Sequence, residues 1–394
     1  MTERVAAIIG GGIGGLATAV ALRRVGWRVT VHERAPAFTE VGAGISLWPN
    51  ALHALDRLGL LDEVRKRSER EVAGGAKDLR GRWLTRVTSA ELERRFGHPV
   101  VVLHRGRLLE ALLTALPDEV LRPGETVTDP PDADLVVAAD GLRSTIRSRL
   151  WPNVRPRYAG HTAWRMVTRP LPPLGEGAVL WGRGERFGYA PLPGGAVYCF
   201  GTATVPEGSS AAPKGGAAIP EGNAVVSDGG AAGPGGPVPV SLAASEFAEV
   251  VRRFGGWPDP IPTLLDGVDP EAVLRHDLYD LPPLPSFVHG TTVLVGDAAH
   301  AMTPSLGQGG CQALEDAVVL ADCLAGDVDT ATGLARYDAL RRPRTQAVVT
   351  RSARLNTIGQ IAWPPAAAAR DLLARLVPAE AVLRGMTPVI GFRV

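Results

Sequence analysis

Cysteine is scarce in this chain: Cys199, Cys311 and Cys323 are its whole complement. Their spacing fits no metal site, and their number is too small for a disulfide framework. Buried free thiols in a reducing cytoplasm are the expectation. Charge of one sign is also missing. Lys+Arg 42 against Asp+Glu 41 leaves a net +1, so no global field favours nucleic acid or a stable association with an anionic membrane. No apolar run reaches the roughly 18 residues that a membrane helix requires. The apolar N-terminal stretch is cut by glycines and then by Arg23 and Arg24, unlike a secretory leader. Internal repeats are absent. These gaps leave a globular chain whose 394 residues can bury a sizeable core, in two domains by length.

What is present begins with a unit of about 30 residues, the size of a βαβ crossover. RVAAIIG reads as a strand, GGIGG as a turn, LATAVALRRVG as a helix ended by Gly26, and WRVTVHE as a second strand. Gly10, Gly12 and Gly15 stand where a dinucleotide fingerprint needs them, with Ile13 and Gly14 inside the turn. Such glycines permit a tight bend, the approach of a diphosphate and close packing of helix on strand. Glu33 closes the second strand, where a carboxylate can bind ribose hydroxyls, and Arg34 is placed to lie over an adenine. NAD, NADP and FAD all remain compatible with this one fingerprint.

Three further stretches change from strand to helix. VGAGISLWPNALHALDRLGLLDEVRKR opens as a glycine loop, then turns Leu52, Leu55 and Leu58 inward. VVVLHRGRLLEALLTAL changes at Arg105, and VLVGDAAHAMTPSLGQGGCQALEDAVVLADCL passes from strand through Gly296-Asp297 into a helix near Gly309 and Gly310. The last offers a carboxylate and a helix N-terminus at a strand's carboxyl end. DLVVAA is a buried strand ending at Asp140-Gly141. Gly74 to His98 reads as short strands and charged turns. Residues 157–204 alternate with a two-residue period around Trp164, Trp181, Phe187, Tyr189, Tyr198 and Phe200, as an antiparallel sheet with one covered face does. Residues 206–239 hold nine Gly and six Pro and no aromatic, which predicts a disordered insertion. Leu242 to Phe254 has amphipathic helical spacing. The chain is helical again after Leu334, with an arginine face (Arg341, Arg342, Arg344, Arg351, Arg354) and a last helix near Ala366 to Leu376.

Taken in order, GGGIGG from Gly10, ADGLRSTIR from Ala139 and GDAAHAMTPSLGQGG from Gly296 resemble the three motifs of the FAD-dependent aromatic-ring hydroxylases. These are single-component flavoprotein monooxygenases with a para-hydroxybenzoate-hydroxylase-like fold. The resemblance covers roughly residues 4–355 without the insertion. It implies an α/β fold: a Rossmann-like FAD-binding domain of the GR2 type, an interleaved antiparallel-sheet substrate domain, and C-terminal helices. The FAD-binding domain would comprise 1–75, 99–160 and 285–345. The substrate domain would comprise 76–98 and 161–284, leaving 346–394 as a helical region.

The resemblance also implies site residues. Glu33 would bind the adenosine ribose, Arg105 the ribityl–pyrophosphate region and Asp297 the ribityl chain. Asp140 belongs to a motif tied to both FAD and NAD(P)H. Gly44, Ser46 and Val127 join the cofactor's contacts. The loop from Pro304 through Gly307 to Gly309 and Gly310 would run along the flavin. There the helix N-terminus can favour a reduced flavin's negative charge by about 0.3–1 kcal/mol. Between Val120 and Asp134 the chain is shorter than the family usually allows.

VGAGISLWPNA and TPSLGQGGC are most similar to the urate hydroxylase and salicylate hydroxylase-like branch, whose substrate-lining positions match Arg186 and Tyr198. A guanidinium there can hold an oxyanion, and a phenol can orient substrate or relay a proton. Cys199 stands where the family usually has a large aromatic. The competing roles are an edge-strand charge for Arg186 and a sheet-core aromatic for Tyr198. His300 reads as a packed loop residue, while His161 and Arg165 receive no role. The expected activity is an NADH- or NADPH-consuming monooxygenation of an electron-rich aromatic or heteroaromatic ring (urate-like, salicylate-like or a polycyclic phenol), through a flavin C4a-hydroperoxide and with dioxygen as co-substrate. A non-oxygenating flavin oxidoreductase and an FAD-retaining regulatory protein are the alternatives. The W-x-W-x-I-P segment of the halogenases is missing.

Overall fold

A computed structural model of the chain describes residues 4–38, 43–209 and 242–393. Residues 210–239 of the expected insertion lie outside the described residues.

The strand Val5–Ile9 is apolar along its length because both faces of its sheet are covered. It pairs in parallel with Arg28–Glu33 on one side and Leu135–Ala138 on the other. Leu121–Pro123 extends the sheet beyond Arg28–Glu33, and Thr292–Leu294 extends the other edge in parallel register. The hairpin partner Val288–His289 completes six strands. The helix Ile13–Arg24 packs on the helix Gly309–Cys323. A Cβ added to Gly14 would sit 3.5 Å from that of Ala313, so the first fingerprint and the last motif share one helix–helix contact.

A seven-stranded sheet runs in the order Leu274–Asp280, Arg157–Val167, Val197–Thr204, Glu185–Pro191, Ala178–Trp181, Ala73–Asp78, Trp83–Thr88. Period-two alternation sorts its side chains. Trp164, Met166, Phe187, Tyr189, Val197 and Cys199 form one core with Val250 and Phe254 of the helix Leu242–Phe254. Arg165, Arg186, Tyr198, Phe200 and Thr202 alternate to the other face, which meets the cofactor-type domain.

Two helices depart from the sequence reading. Ser89–Phe96 is helical where short strands and turns were expected; Thr88 and Glu91 close a reciprocal capping box, and Gly97 ends the helix at φ +87°. A further helix, Ala379–Ile390, follows the expected last one. Its Leu383, Val389 and Ile390 pack with Leu92, Phe96 and Val348. The 30-residue helix Thr330–Gly359 passes unbroken through residues 345 and 346, where the sequence reading begins its C-terminal region.

Candidate active site

Gly10 adopts φ +109°, and a Cβ there would lie 2.4 Å from the carbonyl oxygen of Ala139. The first motif therefore presses directly on the strand that leads to the second. A Cβ on Gly15 would sit 1.9 Å from the Gly10 carbonyl oxygen. Gly12 is different: it caps the helix Ile13–Arg24 without a side-chain bond, and nothing lies within 4 Å of an added Cβ. The opening of that helix leaves N–H groups with no intrahelical acceptor, facing that space. Glu33 accepts hydrogen bonds from the Gly11 N–H at 2.7 Å and the Ala35 N–H at 2.8 Å. Its carboxylate is thereby pinned at the turn with lone pairs to spare. Arg34 is exposed and Val127 half-buried, just beyond a segment whose Glu125 N–H donates to the Glu33 carbonyl.

The second and third motifs are joined by Arg147, which the sequence reading did not single out. Its guanidinium is fully buried and donates to the carbonyls of Leu142 and Ala298, the latter at 3.0 Å. Burial lowers its pKa, while Asp140 and Asp297 oppose that shift. Asp140 accepts the Thr145 N–H at 2.8 Å with one oxygen, and its other oxygen is buried without a hydrogen bond. Asp297 is exposed, with its Oδ1 3.8 Å from where a Gly309 Cβ would be. It therefore stands at the mouth of the helix Gly309–Cys323.

The loop between them makes a short turn over Pro304–Leu306, then reverses at Gly307 with φ +61°. Beside it the Trp48 indole Nε1 lies 3.0 Å from an added Gly307 Cβ, buried and without a hydrogen-bond acceptor. Gly310 packs on Ile45 of the strand Gly44–Leu47, which also carries Ser46. Arg105 is half-buried at the head of its helix, its backbone N–H donating to Ala43. An open glycine turn at a helix N-terminus, an accessible carboxylate and an unpaired indole N–H are the donors and acceptors that a diphosphate, a polyol and a flavin edge demand. The residues present fit FAD.

Across from this loop stands the polar face of the seven-stranded sheet. Arg186 is 5% exposed and spoken for. It donates to Asn356 Oδ1 at 2.8 Å and to Ser305 Oγ at 3.3 Å. Burial and the nearby Arg370 push its pKa down to about 10. Tyr198 packs against Gly44, its Cγ 2.4 Å from an added Cβ. Burial raises the phenol's pKa, though Arg165 and Arg105 pull the other way, so it is a neutral hydrogen-bond donor. Cys199 points away into the opposite core and does not shape this face. Phe200 takes that place, its ring over Gly188.

Behind the loop lies a buried polar network. Asp316 Oδ2 accepts from the Gly296 N–H at 2.9 Å and contacts His300 Nε2 at 2.5 Å. Arg341 donates to Asp316 and Glu315, and Arg344 also reaches Glu315. Asn50 Nδ2 bonds both Gln308 and Glu315. His300 is packed, 1% exposed. Among the described residues no group of His, Cys, Asp and Glu could hold a metal ion, and no helix is long and apolar enough to cross a membrane.

Known proteins bear on this arrangement. The FAD binding domain family matches residues 3–116 and 284–352. An aurachin C monooxygenase/isomerase of Stigmatella aurantiaca is 38% identical over 95% of this chain and 94% of its own length. A 3-amino-4-hydroxybenzoate 2-monooxygenase of Streptomyces platensis is 34% identical over 88% of this chain and 86% of its own. The crystal structure of Klebsiella pneumoniae HpxO with FAD and uric acid superposes with a TM-score of 0.83 at 27% identity, over 98% of this chain and 96% of that one. With relatives at 38% and 34% identity matched over most of both chains, the chain belongs to the FAD-dependent aromatic-ring monooxygenases.

Proposed function

We propose that this enzyme uses FAD, dioxygen and NADH or NADPH to hydroxylate an electron-rich aromatic or heteroaromatic small molecule lying between the Pro304–Gly310 loop and the seven-stranded sheet. The observation that carries this reading is the meeting of three motifs through Gly10, Ala139, Arg147 and Ala298, opposite a sheet face lined by Tyr198 and Phe200. When bound, FAD supplies the redox chemistry, taking hydride from the nicotinamide and activating oxygen.

The chain's own residues would do the rest. Glu33 and Val127 flank the adenosine half, with Arg34 over the base. Gly12 and the following helix N-terminus hold the diphosphate, with Arg105 and Asp140 near the chain that leads to the flavin. Asp297 accepts bonds from the ribityl hydroxyls. Gly44 and Ser46 line the flavin's edge, and the dipole at Gly309 and Gly310 favours negative charge there. Tyr198 donates a hydrogen bond to a ring oxygen of the substrate. Arg186 acts through Ser305, holding the Pro304 loop in place. No nucleic acid or membrane enters the reaction, and three buried free thiols support a cytoplasmic setting.

Purified protein should be yellow, and NADH or NADPH oxidation should rise severalfold with aromatic acids, phenols or purines. Heavy-isotope dioxygen should label the product. Reduction of the flavin without label in any product would defeat the monooxygenase reading, and colourless protein that takes up no FAD would defeat the cofactor assignment.

A further inference from the structure

The polar face of the seven-stranded sheet carries a cationic group, Arg165, that no described residue binds. Strand register arranges this face in rows. Arg186, Thr202, Ala163 and His276 stand directly opposite one another across four strands. The adjoining row is Gly188, Phe200, Arg165 and Leu274. Tyr198 and Val167 follow in the third. Directly opposite neighbours are roughly 5 Å apart at Cβ and diagonal ones about 7–8 Å, still within reach of long side chains, so Arg165 faces Phe200 and has Tyr198 and His276 on its diagonals.

The two rows are not equally free. Thr202 is covered by the Gln360 amide at 2.9 Å, and Arg186 is bound by Ser305 and Asn356. That side is closed by the helix Thr330–Gly359. Arg165, by contrast, is half-buried and has no hydrogen bond or ion pair with any described residue. Arg165, Arg105 and Arg275 all act on His276, each disfavouring its protonation. Asp277, the acid that acts on His276, is taken up by Arg275 at 3.0 Å. His276 is open to solvent, yet partial desolvation and those arginines depress its imidazole to about 4. At neutral pH it is a neutral donor or acceptor.

A guanidinium that is partly desolvated and unpaired is costly, and a bidentate oxyanion is the partner its planar fork suits best. Tyr198 and Phe200 stand beside it with ring centroids 6.0 Å apart and a 38° tilt, forming an aromatic wall. We propose that Arg165, assisted by His276, is the subsite for an acidic oxygen on the substrate ring, so that this enzyme selects aromatic anions carrying a carboxylate or an ionised hydroxyl. The assignment rests on the monooxygenase reading above and narrows its substrate class.

The experiment compares acids with their isosteric amides: 3-hydroxybenzoate with 3-hydroxybenzamide, and salicylate with salicylamide. Binding to the FAD-loaded enzyme is followed through the change in flavin absorbance. Wild-type enzyme should bind at least one acid tenfold or more tightly than its amide. Arg165→Met should reduce that preference below threefold, and Arg165→Lys should retain part of it. Flavin content is read first in every protein. Should Arg165→Met lose flavin, Arg165→Lys decides alone, with at least a threefold fall in preference expected. No acid binding better than its amide, or a preference unchanged in the substituted protein, overturns the assignment. A colourless wild-type protein would instead defeat the flavin reading on which it rests.

Discussion

Arg341 Nε and Asp316 Oδ1 meet at 2.7 Å, and solvent touches neither side chain. The same guanidinium binds Glu315, so one cation answers two carboxylates on the helix that opens at the flavin loop. Burying charges is costly, and without Arg341 the Gly296 N–H and His300 at Asp316 and Arg344 at Glu315 offset only part of that cost. Arg341→Met should therefore destabilise the protein by about 3–5 kcal/mol. Arg342→Met removes only a pair with Asp338 one turn away and should cost about 1 kcal/mol or less. Urea unfolding of both variants is the measurement. Similar losses in the two would mean that the buried network contributes little.

Glu71 provides a test at the other end of the pH scale. Burial raises its carboxyl from 4.5 to about 7, with the Gly177 N–H acting against the shift. The folded value lies above the unfolded one, so the stability it contributes is complete below pH 4.5 and is lost as pH rises through 7. Glu71→Gln keeps the neutral shape at every pH. It should match wild type near pH 4.5 and exceed it in thermal midpoint at pH 8. Parallel curves for the two proteins between pH 5 and 8 would show that Glu71 titrates normally.

The sequence made the ligand-facing parts legible because they depend on short-range chemistry. Gly10 to Glu33 form one continuous unit, and the amphipathic period of Leu242 to Phe254 coincides with the helix itself. Arg341 reads in sequence only as one member of an arginine face, because its partners, Glu315 and Asp316, belong to a different helix. Nothing in local spacing reveals that pairing. The helix Ser89–Phe96 is rich in charge and only 8 residues long, too short for periodicity to show. Its Thr88-x-x-Glu91 box and Gly97 were the readable signals. Alternation alone places Cys199 on the face opposite to Tyr198, so its comparison with the family's large aromatic came from aligning motifs rather than following the strand.

The three cysteines should behave as inert thiols. Burial pushes the Cys311 thiol up to about 12 and Cys199 higher still, and both are fully enclosed. Cys323 is raised by partial burial and is 8% exposed. Only the thiolate reacts readily. Native protein treated with a chromogenic disulfide at pH 8 should release less than one equivalent of chromophore over minutes, and three after denaturation. Rapid release from the folded protein would place at least one thiol in an open, electropositive setting.

Gly10 and Gly12 stand two residues apart and should fail differently. At Gly10 the backbone is in the left-handed region, and an added Cβ would meet the Ala139 carbonyl. Gly10→Ala should therefore cost stability directly, about 1–3 kcal/mol from backbone strain, before cofactor is considered. At Gly12 the backbone has φ −76°, which alanine adopts freely, and the methyl would meet nothing. The apoprotein carrying Gly12→Ala should thus melt within about 2 °C of wild type, since an unstrained, uncrowded substitution changes stability little. That same methyl would project into the space assigned to the diphosphate. FAD affinity, measured by quenching of flavin fluorescence on reconstitution, should fall tenfold or more, about 1.4 kcal/mol or greater. Wild-type affinity in Gly12→Ala would mean that the diphosphate does not approach this turn, however well the turn is folded.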